Sequence, residues 1–129
     1  MLVGDAVTFD TAGPSDGSIG FTEFGSEFTM AGAGVYKISF AVVADVENQI
    51  DVLVNGADPL TGPLVFGAFS GETNEGTAII AVDAGDIVTL TNLTSTDGDL
   101  VLSAPRGGTE TLELKAWIVI EQISTVVPA

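Results

Sequence analysis

Apolar residues in this chain never run far. They alternate with polar ones or come in short blocks, and Gly, Asn, Asp or Pro stops each block. Alternation with a period of two places successive side chains on opposite faces, as a β-strand does. We read strands over residues 6–9, 19–24, 27–30, 35–44, 49–54, 63–69, 77–82, 87–94, 100–103 and 111–123, and no helix. The breaks have mechanisms. Asn55-Gly56 suits a tight turn with two positive φ angles, and Pro59 keeps the next segment out of a central sheet. Asp83-Ala84-Gly85-Asp86 is expected to close a hairpin. About ten strands without a helix predict an all-β chain, folded as a two-sheet antiparallel jelly-roll sandwich. The 129 residues suffice for one domain, 1–129, with a real core.

Two strands carry more information. Over 35–43, Tyr36, Ile38, Phe40 and Val42 share one face, and Val35, Lys37, Ser39, Ala41 and Val43 the other. The first set reads as core. The second is small and mostly uncharged, as a partly covered face would be. Over 111–123, Leu112, Leu114, Ala116, Ile118 and Ile120 share a face, opposite Glu113, Lys115, Trp117, Val119 and Glu121. The segment 116–120 is therefore apolar on both sides. A strand apolar on both faces is covered on both. A sandwich covers only one face of each sheet, so the second face needs another cover. Either Trp117 caps one end of the chain's own core, or it meets a second subunit.

Composition narrows the function. Three Lys and Arg stand against 18 Asp and Glu, a net charge of −15. Phosphate binding needs a basic patch, so nucleic acid is a poor partner, as is an anionic membrane surface. No run approaches the roughly 18 apolar residues of a membrane helix, so no membrane insertion is expected. The first residues, Met-Leu-Val-Gly-Asp, show no basic segment leading into an apolar one, hence no intact secretion signal. Cysteine and histidine are absent, which removes disulfides, thiolate chemistry, catalytic triads and histidine-bound zinc. Paired carboxylates occur, but with so many acids a suitable pair arises by chance. No catalytic residue is proposed and no cofactor is required. Calcium is the one ion worth weighing, because oxygen-rich loops suit it. Its candidate ligands are Asp97 and Asp99 around Gly98, and Asp45 with Glu47 beside Asn48. Asn92-Leu93-Thr94 is a formal glycosylation acceptor that we read as chance.

A longer-range spacing ties these strands to a known family. Asp16, Phe21, Phe28, Gly34, Tyr36 and Phe40 stand at intervals of five, seven, six, two and four. This resembles the signature of the complement C1q globular head, a branch of the tumour-necrosis-factor-like jelly rolls. Ile38 replaces a Phe of that signature, and Asp10 stands where its leading Phe belongs, with Phe9 one place off. The resemblance implies a tight homotrimer, packed through the sheet of the first, third and last long strands. Trp117, Val119, Val35 and Ala41 would then lie at the trimer interface. It also implies a calcium ion near the trimer axis in some members. Within that branch the chain most resembles the C-terminal domains of bacterial collagen-like glycoproteins of the Bacillus spore surface, the exosporium. The similarity lies in residues 31–36, 52–56 and 81–90. It implies a structural head that aligns three chains of a collagen-like stalk and displays loops outward, extracellularly or on the spore. No Gly-X-Y repeat occurs in this sequence. The alternative is a knob that binds a cell-surface or glycan receptor, as on phage fibres. Against it, the single Trp and single Tyr lie in expected strands and not in loops.

Overall fold

A computed structural model of the chain describes residues 5–15, 17–43, 47–59, 64–69, 72–92 and 116–126. Among them are eight strands and no helix: β1 (Ile19–Gly20), β2 (Phe28–Met30), β3 (Gly34–Val43), β4 (Asn48–Val54), β5 (Val65–Ala68), β6 (Thr73–Val82), β7 (Ile87–Asn92) and β8 (Ala116–Ser124). They form two antiparallel sheets. One runs β1-β2-β7-β4-β5, the other β6-β3-β8. Of the remaining expected strands, 100–103 and the 111–115 part of the last one lie outside the described residues.

The alternation read from the sequence builds the core. Tyr36, Ile38, Phe40 and Val42 of β3 are all essentially buried, as are Ile80 and Val82 of β6. They pack against Phe28, Met30, Ile50, Val52, Val88 and Leu90 of the five-stranded sheet. Ile118 and Ile120 of β8 add a half-buried flank. Ile38, which stands in place of an aromatic, is fully buried. Gly34 is required for space: a Cβ there would run into the carbonyl oxygen of Ser124 on β8.

Three expectations are corrected. The stretch 6–9 makes only single bridging pairs, Ala6 with Thr91 and Phe9 with Gly25, and no continuous strand. Those pairs still deliver Phe9 to the core. Its ring packs edge-on to Phe28 at 5.5 Å, while Phe21 stacks on Phe28 at 4.8 Å. Phe9 thus supplies an aromatic that the signature places one residue later. Next, the turn at 83–86 is not a hairpin. β6 and β7 belong to different sheets, so it carries the chain across a corner of the sandwich. Finally, β6 begins at Thr73, four residues before the expected start. Asn74 and Glu75 suggest a loop, yet Asn74 is buried and holds the two sheets together. Its Nδ2 donates to Asn48 Oδ1 on β4 at 2.9 Å and to the Phe66 carbonyl on β5 at 2.7 Å.

The turn at Asn55-Gly56 forms as expected. Both residues have positive φ, 53° and 78°, and Val54 and Ala57 exchange backbone hydrogen bonds around them. It is clamped onto the sheet corner. Asn55 Nδ2 donates to Asp86 Oδ1, and Asn55 Oδ1 accepts from the Ile87 N–H, each at 2.9 Å.

Candidate functional site

The outward side of β6-β3-β8 is one of the two sheet faces that the sandwich itself leaves open. Register places its residues in rows across the three strands. Glu75, Ala41 and Trp117 form one row, and Thr77, Ser39 and Val119 the next. Ile79, Lys37 and Glu121 follow. Three large apolar side chains stand out of these rows, Trp117 at 39%, Val119 at 56% and Ile79 at 59% exposure. Ile123, beside the irregularity that offsets Val35 from Tyr36, adds another exposed side chain. Such a group of exposed apolar residues on one sheet face marks an interaction surface more often than a solvated one. Polar groups interleave it. The Ser39 and Thr77 hydroxyls lie 3.4 Å apart, and with Glu75 and Trp117 they line a shallow depression.

The four residues singled out from the sequence fall on this face in different states. Trp117 and Val119 are exposed, and neither belongs to the core cluster. Trp117 therefore does not cap the core of its own chain. Val35 is half-buried. Ala41 is 4% exposed, closed in between Glu75 and Trp117 in the same chain. Ile79 was missed. Its signal was present in Ala78-Ile79-Ile80-Ala81, an apolar run that no single face can hide.

Of the calcium candidates, only Glu47 lies among the described residues. Asp45, Asp97 and Asp99 lie outside the described residues, and Glu47 is exposed ahead of β4. No group of three or more metal-ligating side chains occurs among the described residues. Asn92 of the formal glycosylation tripeptide ends β7 and is 1% exposed. Two exposed aromatics were also missed. Phe24 and Phe69 are 74% and 73% exposed. Both were expected inside strands, but Phe24 sits in the turn at 22–25 with a positive φ of 67°, and Phe69 follows the end of β5.

Among solved structures, the globular domain of zebrafish complement 1qA protein superposes with a TM-score of 0.60. The match covers 95% of this chain and 93% of that one, at 17% identity. The fold is that of the complement C1q head. At this identity the likeness carries the fold and not the role. No protein-family profile and no curated protein matches the chain.

Proposed function

We propose that this C1q-like domain is a self-associating, non-enzymatic interaction module. Three copies pack through the outer face of β6-β3-β8 to form the head of an extracellular filament. The observation that carries this reading is the exposure of Trp117, Val119 and Ile79 on the outer face of β6-β3-β8. Threefold symmetry comes from the family resemblance. In the finer form of the proposal, the head tops a collagen-like stalk on a bacterial spore surface, the exosporium. Collagen chains nucleate poorly from separate strands. A head that trimerises through apolar strands supplies register and high local concentration. Light scattering after size exclusion tests the core of the proposal. A mass three times that of the 13.1 kDa chain is expected. A monomer at all accessible concentrations would remove its physical basis.

One observation favours a second reading, a receptor- or glycan-binding knob. Phe24 and Phe69 are the exposed loop aromatics that such a site uses for stacking. A glycan array read with the protein and with Phe24→Ala separates the two. Reproducible hits lost in the variant would establish the knob, and a blank array leaves self-association as the function.

A further inference from the structure

The outward side of the five-stranded sheet holds a carboxylate in an unusual position. Asp51 lies between Ile50 and Val52, both in the core, so alternation turns it to the outer side of β4. Its register partners are Thr91 on β7 and Val65 on β5. An acid on an outer face is normally wet, yet Asp51 is 5% exposed. Residues later in the chain reach it: the Asp58 carboxyl group and the backbones of Leu64 and Val52 hydrogen-bond its carboxyl group. Even so, Oδ1 of Asp51 is buried and has no hydrogen-bond partner among the described residues.

Buried carboxylates are ordinarily matched by a cation or a full set of donors. Among the described residues, its charged partner is another acid, Asp58. The other residues on this side of the three strands, Gln49, Leu53, Val65, Thr89 and Thr91, carry no charge. Lys37, the one basic residue among those described, is on the outer face of the other sheet. We propose that Asp51 and Asp58 bind a hard divalent cation of the calcium class, which fastens the turn that carries Asp58 to β4. The buried Oδ1 of Asp51 is the inner ligand. Asp58 is exposed and gives the cation its path from solvent. Calcium accepts about six to eight oxygens in adaptable geometry, so two carboxylates and water make a site of moderate affinity. Without the cation, burial and then Asp58 push the Asp51 carboxyl from 3.8 up to about 6. A proton can fill the cation's place in acid. At neutral pH the two charges oppose each other, and the cation relieves that repulsion.

Self-association plays no part in this argument, because the site lies within one chain and on the other sheet. Calcium chloride titrated at pH 7.5 into EDTA-stripped protein tests it, followed by calorimetry and melting temperature. The wild type is expected to bind with Kd on the order of 10⁻⁴–10⁻³ M and to melt higher when loaded. Asp51→Asn and Asp58→Asn are each expected to weaken binding at least tenfold, while Glu47→Gln binds as wild type does. Asp58 is exposed, so Asp58→Asn reads the site even if Asp51→Asn folds poorly. The proposal fails if the wild type neither binds calcium nor gains melting temperature. It fails equally if both Asp variants respond as the wild type does, or if sodium chloride at matched ionic strength gives the same gain.

Discussion

At the scale of single residues, Asp51 carries a stability cost with a definite pH signature. Its folded carboxyl is raised from 3.8 to about 6, by burial first and by Asp58 second. An acid raised in this way stays protonated in the folded chain after the unfolded chain has ionised. The unfolded state then holds fewer protons, so folding stability is full below about pH 4 and falls as pH rises to about 6. A shift of this size amounts to at most about 3 kcal/mol. In EDTA, urea unfolding at pH 4 and pH 7 should show that loss in the wild type. Asp51→Asn should largely abolish the difference. Equal pH dependence in the two proteins would mean that Asp51 is not the group responsible. Phe24 is the other residue out of type. A bulky side chain at φ 67° with 74% exposure gains little from its own packing. It is held by its neighbours' hydrogen bonds, its own N–H donating to the Phe9 carbonyl at 2.8 Å.

At the scale of elements, β6 shows how a strand is made from residues that do not look like one. Its first half is Thr73-Asn74-Glu75-Gly76, which lacks a single apolar side chain. Pairing with all ten residues of β3 holds it in place. Gly76 faces inward opposite Phe40, where a Cβ would come within 2.6 Å of the Phe66 ring and 2.8 Å of the Phe40 ring. Those rings meet edge-on at 5.3 Å across the two sheets. Gly76→Ala should therefore separate an inter-sheet contact and cost about 1–3 kcal/mol, as overpacking of a filled core does. Chemical denaturation checks this, and a variant as stable as wild type would show that the rings can yield. Asn74→Ala tests the neighbouring bridge between sheets. It removes the bonds from Asn74 Nδ2 to Asn48 Oδ1 and to the Phe66 carbonyl and is expected to cost about 1–3 kcal/mol.

At the scale of the whole molecule, the two sheets face solvent differently. On the outer side of β4, Asp51 is buried. On the outer side of β6-β3-β8, Trp117, Val119 and Ile79 stand exposed. A net charge of −15 sets copies of the chain against one another, so the proposed trimer calls for a specific apolar contact and not general stickiness. Trp117→Glu places a charge on that face. The expected mass by light scattering drops from three chains to one while the β-rich circular dichroism spectrum persists. A Trp117→Glu protein of unchanged trimeric mass would remove Trp117 from the interface.

Local physics made much of this molecule legible in the sequence. The period of two in β3 assigned Tyr36, Ile38, Phe40 and Val42 to the core because a strand has only two sides. Asn55-Gly56 announced its turn because few other residues tolerate positive φ in succession. The two-sided apolar strand at 116–120 pointed to a face in need of a cover because burial follows side-chain chemistry. Tertiary structure decided the rest. Whether residues 83–86 close a hairpin or turn a corner depends on which sheet each strand joins, and that is settled by long-range pairing. Phe9 substitutes for a neighbouring position because an isolated pairing with Gly25 turns it inward. Asp51 reads as a surface acid in the sequence. It becomes a buried one only when residues distant from it along the chain, Asp58 and Leu64, pack against it.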